Sequence, residues 1–257
     1  MDLHRALWST RPKTNRLAYY SFLAKKGLGR RNADFGKDVV VEYDGLKFII
    51  CKGFSEALYS VYVNENEPET CRYMTSQTGD TFVDVGANVG GYTVRLAARF
   101  AKVISVEPNP KAAKVLKKNI ELNQLSNVTV YSEAISDGVG EATMYVPSSG
   151  KTTRSSIIER YGQGESFPVH TTTLDSLLEG YDRIDLLKVD AEGAEVRILE
   201  GGEKTLQRTS KLVLELGSWS EKRIMDILSR YNFKTFDLDL KAATGKNLAA
   251  EGHQGSQ

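Results

Sequence analysis

Gly86, Gly90 and Gly91 stand in the stretch TFVDVGANVGGYTV, between a short apolar run and an amphipathic segment. Glycines at such a junction let the backbone turn tightly and bring N–H groups against a ligand. No Gly-Lys-Ser/Thr follows, so this is not a loop that cradles and neutralises phosphates. Asn88 occupies the place of the second glycine of a dinucleotide fingerprint, the one that admits a pyrophosphate, and therefore argues against a dinucleotide. Glu107 ends the next apolar run, about 20 residues on, where a carboxylate can hold ribose hydroxyls. Loop and acid together point to a ligand with a nucleoside body, the alternative being a simple strand-to-helix turn.

Such a loop needs a buried sheet to hold it. From Thr81 short apolar runs (TFVDVG, KVISVE, NVTVYSEAI, FPVHTTT, IDLLKVD, KLVLELG) alternate with helical segments near 92–100, 110–123, 174–178, 194–208 and 221–230. Strand, helix, strand predicts a parallel sheet. In the second helix Asn109 is placed to cap and Pro110 suits the first position. Ala113, Leu116 and Ile120 there form an apolar stripe opposite Lys111, Lys114, Lys117 and Lys118, which read as facing water. Upstream, VVVEY and LKFIIC flank Asp44-Gly45, a dipeptide that accepts a tight hairpin turn, and a helix is expected around Glu67 to Gln77. Residues 3–28 read as two short helices joined at Pro12. The last apolar run is FKTFDLDL, and the small, polar tail from Lys241 reads as disordered. The expected organisation is an N-terminal basic helical and hairpin extension over 1–78, a ligand-binding domain over 79–240 and a disordered tail over 241–257.

Composition agrees with a globular chain of 257 residues, 40% apolar and 26% charged, and excludes collagen-like, mucin-like and wholly disordered classes. No apolar run reaches the roughly 18 residues of a membrane span and no signal-peptide pattern opens the chain, so a cytoplasmic location is expected. Cys51 and Cys71 are too few for a disulfide framework and have no zinc-site spacing. Charge is uneven. Residues 1–37 hold nine Lys/Arg against Asp2 and Asp34, a net +7, which leaves −6 for the rest of a chain of net +1. The arm reads either as a contact for lipid headgroups or nucleic acid, or as a solvated helical extension.

Five ordered motifs carry a family resemblance: VDVGANVGGYTV, VEPNP, EAIS, TTTLDSLL and DLLKVDAEGAEVRILEG, spanning about 81–217. In order and spacing they resemble the FkbM-type S-adenosylmethionine-dependent methyltransferases. The resemblance implies an α/β fold of the Rossmann-like class I methyltransferase kind: a doubly wound, seven-stranded, mostly parallel sheet with an antiparallel last strand, here expected at FKTFDLDL. It implies Asp84, Gly86, Asn88 and Gly90 as the loop under the methionine part of the cofactor and Glu107 as the ribose ligand. Asn109 sits just beyond, and Glu133 and Ala134, ending the third strand, resemble the segment bordering the adenine. Asp190 and Glu192 fall on the DxEG motif, facing the site of methyl transfer.

Methyl transfer from a sulfonium needs alignment and exclusion of water, and a hydroxyl acceptor must also lose its proton. Asp190, Glu192 and Glu215 form a candidate catalytic cluster, since all three would project at the carboxyl edge of a parallel sheet. Three hard oxygen donors could hold Mg²⁺ or Ca²⁺ if they converge, but no metal is assigned. The bland alternatives are a helix N-terminus interaction for Glu192 and a salt bridge for Glu215. The histidine that such proteins often carry after the fifth strand is absent from LELGSWS, and His170, in a β-rich run, reads as a satisfied strand histidine. The stretch 147–166 reads as a loop over the carboxyl edge. Lys151, Arg154, Ser155, Ser156 and Tyr161 there could meet a hydroxylated or phosphorylated acceptor, or simply face solvent.

The expected function is an O-methyltransferase acting on a hydroxyl of a sugar, glycolipid or polyketide-like small molecule, with peripheral membrane contact through the arm. The alternative is an RNA methyltransferase using that arm. Against it stand DAEG in place of an Asn-Pro-Pro-aromatic motif and the lack of a separate RNA-binding module. A non-enzymatic scaffold or dehydrogenase-like domain is opposed by Asn88 and the DAEG carboxylates.

Overall fold

The computed structural model describes residues 37–52, 67–147, 155–158, 164–217, 220–238 and 246–252. The basic arm, its two expected helices, and Lys151, Arg154 and Tyr161 lie outside the described residues.

The organising pattern is period two. In β3 (Gly79–Val85), β4 (Phe100–Val106), β9 (Leu186–Val189) and β10 (Lys211–Leu216), successive apolar residues point to opposite faces. Val83, Leu187 and Leu212 enter one core layer while Phe82, Leu186 and Val213 enter the other. A strand buried on both faces has helices on both sides, which is the setting of a parallel sheet. The observed sheet has seven strands in the order β11-β12-β10-β9-β3-β4-β5, where β5 is Val128–Tyr131, β11 is Phe233–Asp237 and β12 is Lys246–Gly252. Pairings from β10 through β5 are parallel, and β12 runs antiparallel to both β10 and β11.

The chain leaves β3 toward β4 and later returns to β9 on the other side of β3, so the winding reverses there, and in open α/β sheets ligands bind beyond the carboxyl ends at such a reversal. Before the sheet, α1 (Pro68–Ser76) packs Cys71 and Met74 beside Leu96. Helix α2 (Gly91–Leu96) follows the glycine loop. Helix α3 (Pro110–Leu122) is capped by Asn109, whose side chain accepts from the N–H of Lys111 at 3.0 Å. The hairpin of β1 (Val39–Tyr43) and β2 (Leu46–Ile50), turned at Asp44 and Gly45 with φ of 53° and 79°, forms as expected. It is no separate module. Val41, Phe48 and Ile50 share a core with Val89, Val94 and Val115. Buried Asn119 accepts from the Ile49 N–H (2.7 Å) and donates to the Val89 carbonyl (2.8 Å), tying the hairpin to the glycine loop.

Five expectations are corrected. The reversed strand is not FKTFDLDL, since β11 runs parallel to β10. It is β12, drawn from the tail expected to be disordered. Leu248, Ala249 and Ala250 are buried between β10 and β11, where small side chains fit a strand enclosed on both faces. The run NVTVYSEAI breaks at Ser132-Glu133. Glu133 and Ala134 therefore do not end the third strand: Ala134 opens β6 (Ala134–Ile135) in a separate three-stranded sheet with β7 (Gly140–Pro147) and β8 (Gly164–Thr172), ordered β6-β8-β7. Those strands also take both ends of the expected loop at 147–166. The helix expected over 194–208 is two, α5 (Glu195–Glu200) and α6 (Glu203–Gln207), because the chain at Gly201 passes so close to Ser136 that a Cβ would lie 2.2 Å from its carbonyl oxygen. The remaining helices, α4 (Leu174–Leu177) and α7 (Glu221–Arg230), form where expected.

Candidate functional site

The glycine loop forms because its backbone takes left-handed conformations: Gly86, Asn88 and Gly90 have φ of 77°, 49° and 90°. Asparagine tolerates this region better than most side chains. At Gly86 no other residue fits, since a Cβ would stand 1.8 Å from the Asp190 carbonyl oxygen. The loop after β3 is thus pressed against the end of β9.

Asp84, the next-to-last residue of β3, is buried. Its Oδ2 accepts from Thr93 Oγ1 at 2.7 Å, and Thr93 in turn meets Ser105 Oγ at 2.8 Å. Beside it, Lys188 on β9 places Nζ 2.9 Å from Asp190 Oδ2 and 3.8 Å from Asp84 Oδ1. Side-chain exposure rises along this row from 1% at Asp84 through 7% at Lys188 to 32% at Asp190, so Asp190 is the member that reaches open space. Burial alone would raise the Asp190 carboxyl, but the Lys188 ammonium and a hydrogen bond with Glu215 outweigh it and hold Asp190 below its ordinary range. Glu215, on β10, takes the opposite course. The negative charge of Asp190, then burial, push it up to about 10, so it carries a proton at neutral pH.

Glu107 follows β4 and is almost wholly enclosed. Its Oε2 accepts from the Asn88 N–H (2.7 Å) and its Oε1 from the Asn109 N–H (2.8 Å). Burial outweighs these two donors and raises the carboxyl to about 7. Asn88 Oδ1 and Asp84 Oδ1 are buried without a hydrogen-bond partner among the described residues.

A profile of the Methyltransferase FkbM domain matches residues 84–235, more than half of the chain and all of the site just described. The chain belongs to this FkbM family. The FkbM chain is 29% identical over 152 residues to Methyltransferase sdnD of Sordaria araneosa, covering 46% of this chain and 59% of the relative. Over 75 residues it is 32% identical to the 23S rRNA (uracil(1939)-C(5))-methyltransferase RlmD of Shewanella frigidimarina, covering 29% of this chain and 16% of that one. It therefore spans less than two thirds of either relative. Among solved structures, an rRNA methylase from Streptococcus thermophilus aligns with a TM-score of 0.48 at 13% identity, covering 72% of this chain and 95% of that one.

Of the residues expected at the FkbM site, Asp84, Gly86, Asn88, Gly90, Glu107 and Asn109 come together around the loop, and Asp190, Glu192 and Glu215 converge. These last three each offer an oxygen within 4.8 Å of the others. Of these donors, Asp190 is already paired with the Lys188 ammonium at 2.9 Å. Glu192 sits in a left-handed turn (φ 50°) ahead of α5, whose own Glu195 accepts from the Ala191 (3.1 Å) and Gly193 (2.9 Å) N–H groups. Glu133 and Ala134 follow β5, Ala134 opening β6. His170 lies on β8 with its Nδ1 3.9 Å from Glu141 Oε1, in keeping with a strand histidine. Ser155 accepts from Asn109 Nδ2 at 3.1 Å, while Ser156 is buried and bridges to Tyr145, so among the described loop residues Ser155 is the one that reaches the site through Asn109.

Lys188 escapes a motif-based reading, though a signal is present. A lysine inside LLKV, on a strand buried on both faces, needs a buried counter-charge. Tyr92 escapes likewise. Its ring lies 5.4 Å from Lys188 Nζ, and its hydroxyl donates to Glu67 at 3.1 Å.

Proposed function

We propose that this chain moves a methyl group from S-adenosylmethionine to a hydroxyl of a sugar, glycolipid or polyketide-like small molecule. The observation that carries the reading is the convergence of the Asp190, Glu192 and Glu215 carboxyls at the carboxyl edge, beside a left-handed glycine loop bound to Glu107. Bound there, S-adenosylmethionine would supply an activated methyl on a sulfonium sulfur.

The protein's part is to bind, orient and hold a proton. Asp84, Gly86, Asn88 and Gly90 would line the methionine end, Asn88 Oδ1, which has no hydrogen-bond partner among the described residues, offering an acceptor to a donor-bearing ligand. Glu107, its ordinary donors being backbone N–H groups, has lone pairs left for ribose hydroxyls. Asn109 holds the near wall, with Glu133 and Ala134 toward the adenine side. Asp190, with Glu192 beside it, would accept the hydrogen bond of an acceptor hydroxyl and take its proton as the oxygen is methylated. An amine acceptor makes no such demand on a carboxylate cluster. The basic arm would add contact with an anionic lipid surface if the acceptor is a glycolipid.

Calorimetric titration with S-adenosylhomocysteine, with NAD⁺ as control, tests the cofactor. Micromolar binding of the first alone is expected, and binding of neither would reduce the loop to a turn. A screen of labelled methyl transfer onto hydroxylated small molecules and onto total RNA then tests the acceptor. Incorporation into RNA alone would replace the small-molecule reading with the RNA one.

A further inference from the structure

Lys188 is the charge around which this site is arranged. It sits on the central strand β9 between Leu187 and Val189, both fully buried, and its own side chain is 7% exposed. Burying an ammonium is costly unless carboxylates compensate it closely. Here three carboxylates and an aromatic ring surround it. Asp84 faces it from β3 and Asp190 from the end of its own strand. Glu67, ahead of α1, and the Tyr92 ring of α2 lie on the remaining side. Beyond Asp190 stand Glu215 on β10, Glu192 in the following turn and Glu107 after β4. The two carboxylates that Lys188 contacts belong to the two halves of the site: Asp84 lies at the foot of the glycine loop, and Asp190 lies where the acceptor would stand.

We propose, resting on the methyl-transfer reading above, that Lys188 is a positioning residue that fixes Asp190 as the ionised member of the Asp190–Glu215 pair and leaves the pair's proton on Glu215. Lys188 touches no reactant. It acts through Asp190, whose outward oxygen it turns to the cleft as an acceptor at neutral pH. On methylation the acceptor oxygen would form its bond to the methyl carbon as the carbon–sulfur bond of the cofactor breaks, that pair leaving on the sulfur of S-adenosylhomocysteine. The O–H bond breaks with its pair kept on the acceptor oxygen and its proton passing to Asp190. An oxygen gaining a methyl group is acidic enough to give its proton even to a carboxylate of lowered basicity. Without the ammonium, Asp190 would bind a proton more readily and the pair would lose its order.

The test uses the full chain as wild type, K188M and K188R, with folding checked by circular dichroism and S-adenosylhomocysteine binding by calorimetry. Side-chain carboxyl ¹³C resonances of Asp and Glu are titrated by NMR, with D190N and E215Q assigning the two signals. In wild type the Asp190 signal should stay ionised below the ordinary aspartate range of about 4, and the Glu215 signal should stay protonated past about pH 8. In K188M the Asp190 midpoint should rise by at least about one pH unit, a tenfold gain in proton affinity, and K188R should restore it. A folded K188M with an unmoved Asp190 midpoint overturns the proposal. If K188M does not fold, the wild-type titration decides: Glu215 ionised at neutral pH also overturns it. Failure of wild type to bind S-adenosylhomocysteine sinks the methyl-transfer reading instead, and the titration, which needs no cofactor, tells the two failures apart.

Discussion

Two aspartates bracket strand β9, five residues apart, and they are built in opposite ways. Asp185, before the strand, is matched on every side: Oδ2 accepts from the Asp80 and Thr81 N–H groups at 2.7 and 3.0 Å, and Oδ1 accepts from Arg183 Nε at 2.8 Å. It ties β9 to β3 at the amino edge of the sheet. Asp190, after the strand, shares its ammonium with Asp84 and faces Glu215 and Glu192. Same residue type, same strand, same sheet, yet one end carries complementary partners and the other crowds like charge. Crowded charge costs stability and is kept where it sets protonation for chemistry.

Replacing each aspartate by asparagine is the sharpest way to break that contrast. For Asp190→Asn, methyl transfer should fall by about 100-fold or more, since a positioned proton acceptor contributes on that scale, and stability against urea should fall as well, because the buried Lys188 ammonium loses its nearest counter-charge. Asp185→Asn should differ in the first respect. Transfer should stay within about threefold, and stability should drop by roughly 2 kcal/mol because amide nitrogen cannot accept from the backbone. Equal losses of transfer in the two variants would mean that the edges do not differ in the way argued.

The next effect concerns backbone rather than charge. Gly86→Ala combines a φ of 77° with a Cβ 1.8 Å from the Asp190 carbonyl oxygen, so the loop or the end of β9 must move. A loss of about 2–4 kcal/mol in stability and about tenfold in S-adenosylhomocysteine affinity is expected. At the amino edge, Gly79→Ala meets Asp185 Cβ at 2.6 Å, and its cost should appear in denaturation with affinity unchanged. Unaltered affinity in Gly86→Ala would remove the loop from the ligand site.

These two edges were not equally legible in the sequence. The glycines, Glu107 and the DAEG carboxylates stood out because each must occupy a fixed place in a strand-loop-helix pattern, and the strands around them announce themselves by apolar runs. Lys188 did not stand out, although it belongs to a motif, because pairing across three strands is a property of the assembled sheet. The tail strand β12 was misread for another reason. Asn247-Leu248-Ala249-Ala250 has little apolar bulk, and it is buried by its place between β10 and β11 rather than by its own hydropathy. The break at Ser132-Glu133 was hidden because β5 and β6 each keep strand-like composition while joining different sheets. A loop residue such as Ser155, reached by Asn109 from 46 positions away, leaves no trace in local pattern.

Charge crowding also predicts a pH dependence of stability confined to the carboxyl edge. Glu215 is raised in the folded state from its ordinary value near 4.5 to about 10, so the fold binds its proton more tightly than the unfolded chain does. Its favourable contribution is complete below about 4.5 and is lost as pH rises toward 10. Glu215→Gln, which mimics the protonated acid, should therefore gain roughly 1–2 kcal/mol over wild type near pH 9 and nothing near pH 4. A gain that is flat with pH would assign the change to packing and not to the proton.

The smallest effect sharpens the comparison at the far side of the loop. Burial holds Glu107 at about 7, so the empty protein carries a proton there in mildly acidic solution. If its carboxylate takes the ribose hydroxyls, ligand binding favours the ionised form, and affinity should weaken as pH falls through 7. Between about pH 8 and 6 the ionised fraction drops close to tenfold, which sets the expected loss at threefold to tenfold, about 1 kcal/mol. Calorimetry in buffers of different ionisation enthalpy should show proton release on binding at pH 6. Glu107→Gln should bind more weakly than wild type at pH 8 and lose the slope, whereas Asp185→Asn should keep it. A wild-type affinity independent of pH would leave Glu107 as a strut for the Asn88 and Asn109 backbone and move the ribose contact elsewhere.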